Sequence, residues 1–328
     1  MIEDFLKELS GRFRMLHAHK NLVDSFIKQH FPITLEGIRK LPLAVVLEDL
    51  LRYSKGSFLI VLPTEKEAEL FYNDLVLVYK NVSLLPAWNT LPYKGDTPGF
   101  KAYGQRIKAL TSILTSSKCI TVTSVAAFLS PIVPADFLKK HIFSLKKGDS
   151  LNVSELEMRM QAAGYLRVPK VSVCGDFAIR GEVFDFFPFG SDEPVRCVLD
   201  FDEIEQIKTF DPISQASTGR LNSVVIPPCR EILLEKDEDD VPCQEYLFPL
   251  SFEHPGHLLD YMPQFSSTVF VDYELLKGRY STILDEYKAC YRQFGHSVLE
   301  KPPMPDELLY DFDPDHGMSR KSVDKVME

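Results

Sequence analysis

The chain has 328 residues, 45% of them hydrophobic and 26% charged, with a formal net charge of −10. That composition is globular and long enough for two or three domains. The acidic balance argues against a protein dominated by phosphate contacts. No apolar run reaches the roughly 18 residues of a membrane span, and the N-terminus, "MIEDFLKELSGRF", lacks the apolar core of a secretory signal.

The N-terminal residues 1–55 carry apolar positions at helical spacing, and "LPLAVVLEDLLRYSKG" (41–56) closes on Lys-Gly, a helix-stop signal. "SFLIVLPT" (57–64) is a short apolar run of the buried parallel-strand type. A helix is expected over 65–80, a strand over 82–87, a helix over 105–116, and a strand leading into a short helix over 119–131. Strand and helix thus alternate, which predicts an α/β parallel sheet covered by helices.

The pattern changes near Pro131–Pro134. A helix is expected over 152–164, opened by a capping box of Ser154 with Glu157 and closed at Gly164. After it the chain becomes strand-rich. "GDFAIRGEVFDFFPFG" (175–190), "VRCVLDFD" (195–202) and "EIEQIKTFD" (203–211) read as strands of a small α+β unit. Strand–helix character returns near 220, with "SVVIPPCREILL" (223–234) expected to complete the first sheet and "STVFVDYELLKGRYSTILDEYKACYRQFG" (267–295) expected as a strand and a long helix. The acidic run "EKDEDD" (235–240) reads as a solvated loop. The tail beyond Lys301 has no closing element, as expected of a piece of something longer.

Six cysteines lie scattered without CxxC spacing, which predicts reduced thiols in a cytoplasmic protein. The histidines show no HExxH or Cys-His cluster, so no metal is implied. No GxSxG elbow is present, and Cys174 has no histidine nearby in sequence.

A parallel sheet often binds nucleotides, yet the expected parts are degenerate. The candidate phosphate loop, "LEGIRKLPLAVVLEDL" (35–50), has only Gly37, with Pro42 where backbone donors are needed and no Lys-Ser or Lys-Thr. In "TVFVDYE" (268–274), Asp272 stands at the metal-carboxylate position and Tyr273 replaces the glutamate that would activate water. No catalytic residue and no cofactor are therefore expected.

The 175–190 segment raises its own question, because Arg180 interrupts an apolar strand. In one continuous extended strand, Arg180, Glu182, Phe184 and Phe186 share a face, and Phe177, Ile179, Val183 and Phe187 share the other, the core face. A face mixing a planar cation with aromatics has the composition of an interface anchor. The alternative is that Arg180 pairs internally with an acid such as Glu182 or Asp200, and that Phe184 fills a second small core. Arg196, on the next strand, can neighbour Arg180.

Three stretches, "AWNTLPYKGDTPGFKAYGQRIKAL" (87–110), residues 164–217 around "GDFAIRGEVFDFFPFG", and "VVIPPCREILL" (224–234), resemble the N-terminal UvrB-like region of the bacterial transcription-repair coupling factors, the Mfd family. The resemblance covers about residues 1 to 300. It implies a helicase-like α/β domain split in sequence over 1–133 and 219–305, an inserted partner-binding α+β domain over 134–218, and a linker or the start of a further domain over 306–328. It implies that the inserted domain docks on UvrA, the damage-recognition ATPase, with Arg180 and Phe184 at partner-contact positions and Arg167 near a third. It also implies that RNA polymerase and DNA are engaged by other parts of a longer ATP-dependent translocase. The DNA-gripping hairpin of UvrB has no room between Pro98 and Gln105. Direct nucleic-acid binding by the dispersed basic pairs Arg39/Lys40, Lys139/Lys140 and Lys146/Lys147 is expected to be weak and steeply salt-dependent. A divergent nucleotide hydrolase or helicase fragment is the competing expectation.

Overall fold

The structure is a computed structural model that describes residues 2–233, 244–293, 302–312 and 326–327. Its elements, in chain order, begin with α1 (Ile2–Met15), α2 (His17–Ile27), α3 (Lys40–Tyr53), β1 (Phe58–Leu62), α4 (Glu65–Val76), β2 (Val82–Leu85), α5 (Phe100–Thr115), β3 (Ile120–Ser124) and α6 (Val125–Leu129). The strand-rich part follows: α7 (Ala135–His141), β4 (Phe143–Lys146), α8 (Val153–Ala162), β5 (Leu166–Arg167), β6 (Asp176–Arg180), β7 (Val183–Phe186), β8 (Val195–Asp200), β9 (Glu203–Phe210), β10 (Ser217–Leu221), β11 (Ser223–Ile226) and α9 (Gln244–Leu250). The chain then continues through α10 (Leu258–Tyr261), β12 (Ser267–Phe270), α11 (Tyr273–Gln293) and β13 (Val326–Met327).

The chain divides into two compact units. One comprises Met1–Gly95, Ser112–Ile132 and Gly256–Glu328; the other comprises Asp96–Thr111 and Val133–Pro255. The first holds a parallel sheet in the order β13-β12-β1-β3-β2. Its central strand β1, "FLIVL", is buried at every position, as a strand with helices on both faces requires. Leu43, Leu47 and Leu50 of α3 and Phe71 and Leu75 of α4 pack against Phe58, Ile60 and Val122 in one core. Thr64 starts α4 by accepting the Glu67 backbone N–H at 3.2 Å. This is the helicase-like α/β architecture, interrupted in sequence by a small α+β unit.

The second unit carries a six-stranded sheet in the order β10-β9-β8-β7-β6-β5, antiparallel except for the β5–β6 pair. One face is covered. Leu156 and Met160 of α8, Phe143 and Leu145 of β4 and Ile226 of β11 pack on Phe177, Phe184, Phe186, Cys197 and Ile207. The other face has only a small satellite core of Val171, Ala178, Phe187 and Phe210. A buried ion pair also lies in this unit. Arg106 of α5 is fully buried and grips both carboxylate oxygens of Glu231, with Nη2 to Oε2 at 3.2 Å.

Two local expectations change. The cap of α8 is Asn152, whose side chain accepts the Glu155 N–H at 3.1 Å, rather than a Ser154–Glu157 box. Ser154 already lies inside the first turn, and Asn152, a preferred capping residue, holds the N-cap position. The stretch 223–226 does not join the parallel sheet: β11 pairs antiparallel with β4, Ser223 opposite Lys146 and Ile226 opposite Phe143. Its short apolar run suits either sheet, and residue pattern alone does not choose a partner. The return to the parallel-sheet unit accordingly comes at Gly256, later than the expected 219.

Candidate partner-docking face

The stretch around Arg180 is a hairpin, not one strand. β6 and β7 pair antiparallel with Arg180 opposite Val183, Ile179 opposite Phe184, Ala178 opposite Asp185 and Phe177 opposite Phe186. Only Gly181 and Glu182 lie between the strands. Gly181 has φ +58° at the first turn position, the placement a tight two-residue hairpin gives to glycine. Directly opposite residues share a sheet face. Arg180, Val183 and Asp185 therefore lie on one face, and Ile179, Phe184, Phe177 and Phe186 on the other.

That register corrects the expected division of the aromatics. Phe184 and Phe186 do not stand beside Arg180. They are buried in the covered core, with rings stacked at 4.8 Å. The reversal at Gly181 changes the parity of every residue after it, so alternation counted through the turn assigns each to the wrong side. Glu182 is exposed at the turn, and its backbone carbonyl accepts the Leu199 N–H at 2.7 Å.

The open face is organised by Asp185. Its side chain is 1% exposed and accepts three hydrogen bonds: Arg180 Nη2 to Oδ2 at 2.6 Å, Arg196 Nε to Oδ1 at 2.7 Å and Arg196 Nη2 to Oδ2 at 2.9 Å. A carboxylate this buried is tolerated because both oxygens are satisfied by guanidinium donors. Arg196 stands directly opposite Asp185 on β8, and its Nη2 also reaches Gln215 Oε1 at 3.1 Å. Its guanidinium lies 4.5 Å over the Phe210 ring. The hydrogen bonds that Arg196 donates to Asp185 raise its pKa above the ordinary value, against the opposing effect of burial. Arg180 is different in kind. Its side chain is 48% exposed, anchored at one nitrogen and free to offer the others. Its internal acid partner is neither Glu182 nor Asp200 but Asp185, which alternation through the turn hid.

Arg167 lies elsewhere. It is on the short edge strand β5, opposite Phe177, and pairs with Glu157 of α8. That register puts it on the helix-covered side of the sheet, away from the Asp185 cluster.

The degenerate nucleotide positions belong to the parallel-sheet unit, and the structure brings them together. Gly37 takes a left-handed φ of +75° just before α3, and Asp272 follows β12. Between them, Arg39 Nη2 meets Asp272 Oδ1 at 2.9 Å. The side chain that approaches the carboxylate is thus a largely exposed cation of the same chain. Among the described residues no group of three or more His, Cys, Asp or Glu side chains is placed to hold a metal. Nor is any helix among them long and apolar enough to cross a membrane. The described cysteines, 119, 174, 197, 229 and 290, are free thiols. Burial pushes the Cys197 thiol up to about 12, which suits a packing role rather than a nucleophile.

Residues 143–231 match the UvrB interaction domain family. Similar curated proteins are transcription-repair-coupling factors. That of Haemophilus influenzae is 26% identical over 302 residues, covering 82% of this chain and 26% of the relative. That of Borreliella burgdorferi is 29% identical, covering 67% and 20%. That of Escherichia coli is 28% identical, covering 59% and 17%. The chain thus spans about a quarter or less of the length of these relatives.

Proposed function

We propose that this chain, a relative of the transcription-repair-coupling factors with a UvrB interaction domain at its centre, is an adaptor that docks UvrA and brings it to nucleotide excision repair at stalled RNA polymerase. The observation that carries the reading is Arg180. It lies within residues 143–231, half exposed on the open sheet face, and is oriented from below by the buried Asp185. An arginine pre-set in this way loses little rotamer freedom on binding and presents a planar donor fork to a partner carboxylate or carbonyl. Arg196 stiffens the same carboxylate, and Phe184 and Phe186 hold the strands beneath it. Glu182 flanks this centre from the hairpin turn, and Arg167 would supply a separate basic contact from the edge strand, on the helix-covered side.

The module works without chemistry of its own. The Arg39–Asp272 pair neutralises the carboxylate that would hold a metal-bound nucleotide, so we assign no nucleotide hydrolysis to this chain. ATP-driven translocation, RNA polymerase and DNA contact belong in this reading to the remainder of a longer protein acting in the cytoplasm. A divergent nucleotide hydrolase would instead bind a fluorescent ATP analogue with magnesium.

Titration of purified UvrA against the chain tests the reading. Wild type binds, and Arg180→Ala, with an unchanged circular dichroism spectrum, binds at least about tenfold more weakly, because a truncated interface arginine leaves its partner group unpaired. A folded Arg180→Ala chain that binds as wild type does would overturn it.

A further inference from the structure

We infer that the docking face extends from Arg180 across β8, β9 and β10 as a basic row, built to meet an acidic protein surface on the partner, with Lys208 and Arg220 as its outer determinants. The inference rests on the docking reading above and names the partner chemistry of that face.

The row follows from register. Arg220 of β10 stands opposite Lys208 of β9, Lys208 opposite Arg196 of β8, and Arg196 opposite Asp185 of β7. Directly opposite residues on a sheet have side chains about 5 Å apart and share one face. Three cations therefore run side by side across neighbouring strands, with Arg180 beside the inner end. The one carboxylate in the row, Asp185, is already committed to Arg180 and Arg196. Among the described residues neither Lys208 nor Arg220 has a carboxylate partner. The acids of the adjoining strands lie toward the far hairpin end, where Asp200 pairs in register with Glu203 and Glu205 sits at the register shift, all three exposed.

Like charges directly opposite on a sheet are destabilising. A chain of net charge −10 has no shortage of acids to place there. Concentrating cations on one face of such a chain opposes the folding of the free chain, and the unfavourable term is relieved when carboxylates arrive from outside.

The kind of partner follows from what the cations frame. Val183 and Val198 face each other in the next row, both half-buried. An apolar centre rimmed by arginine and lysine is protein-interface anatomy. A single-stranded nucleic-acid face needs exposed aromatics for base stacking. The aromatics of this face, Phe187 and Phe210, are instead buried, Phe210 beneath the Arg196 guanidinium, and the exposed Phe201 stands apart at the far β8–β9 turn.

The test uses the whole chain, purified UvrA and two double variants, Lys208→Ala/Arg220→Ala and Lys208→Glu/Arg220→Glu. The alanine pair is expected to weaken UvrA binding roughly fivefold and the glutamate pair roughly thirtyfold at low ionic strength, with the dependence of Kd on salt flattened in both. The urea midpoint of the alanine pair stays level or rises, because repulsion is removed, so a loss of binding is separable from a loss of fold. Wild-type affinity and salt dependence in both variants, with Arg180→Ala still impaired, overturn this inference alone. A folded wild-type chain that does not bind UvrA overturns it together with the docking reading. A labelled oligonucleotide that binds wild type and is released by the glutamate pair assigns the row to phosphates and overturns the acidic-protein assignment.

Discussion

Arg180 and Asp185 are five residues apart in sequence and joined by a 2.6 Å hydrogen bond across a two-residue turn. The exposed member is held in its orientation by the buried one. Asp185→Ala would remove the common acceptor of two guanidinium groups. Arg196, largely buried, would lose its charge partner, and Arg180 would lose its orientation. The expected cost is about 2–4 kcal/mol of stability, toward the lower end because Arg180 can turn to water. Urea denaturation measures it, and Asp185→Asn, which keeps the shape but not the charge, should recover only part.

Phe184 and Arg180 separate by mechanism. Phe184→Ala opens a cavity in the covered core and should cost about 3–5 kcal/mol, visible as a lowered urea midpoint. Phe184→Leu, which keeps most of the volume, should cost under about 1.5 kcal/mol and leave UvrA binding close to wild type. Strongly impaired binding by a fully stable Phe184→Leu chain would instead make Phe184 a direct contact.

The Arg106–Glu231 pair gives a prediction with two opposite signs. Arg106→Ala strands a buried carboxylate and should destabilise by about 3–5 kcal/mol. Arg106→Met with Glu231→Leu removes both charges at similar volume and should fall within about 1 kcal/mol of wild type, or above it. Thermal midpoints of the three chains decide. A double variant as unstable as the single one would mean that the pair stabilises beyond its own desolvation.

A pH dependence follows from His257. Burial lowers its pKa from 6.5 to about 4, partly opposed by Asp260. Its Nδ1 accepts the Leu259 N–H at 3.1 Å, capping α10 with the neutral ring. The unfolded chain binds a proton near the ordinary histidine value while the folded chain does not, so stability is full above about pH 6.5 and falls as the pH drops toward 4. The contribution is on the order of 3 kcal/mol. His257→Asn keeps a capping acceptor without the titration. Its urea midpoint should fall less than that of wild type between neutral pH and pH 4.5, and parallel curves would contradict the assignment.

Much of this was readable from residue types. The alternation of "SFLIVLPT" with amphipathic stretches predicts a parallel sheet, and β1 is buried throughout. The return of strand–helix character near 267 places β12 beside β1. Arg180 was legible as an anomaly because an exposed guanidinium in an apolar strand needs a reason. The faces of Phe184 and Phe186 were not, because one glycine decides whether 175–187 is a strand or a hairpin, and Arg-Gly-Glu is a weak turn signal beside Asn-Gly. The role of Asp185 was hidden by the same parity. The row of Arg196, Lys208 and Arg220 was illegible for a different reason: it exists only across three strands whose relative register two bulges adjust, one between Val198 and Leu199 and one between Ser217 and Gly219. Partner choice was equally hidden for β11, since a short apolar run such as "SVVI" does not say which strand it will pair with.

The β4–β11 pairing has a consequence for evolution as well as architecture. Phe143, near the entrance to the strand-rich part, stands opposite Ile226, near its exit. The stretch from Phe143 to Ile226 is closed by its own backbone pairing, so the entropy of closing so long a loop is met inside the strand-rich part itself. Such a segment can be gained, lost or exchanged between hosts without asking the surrounding sheet to re-register.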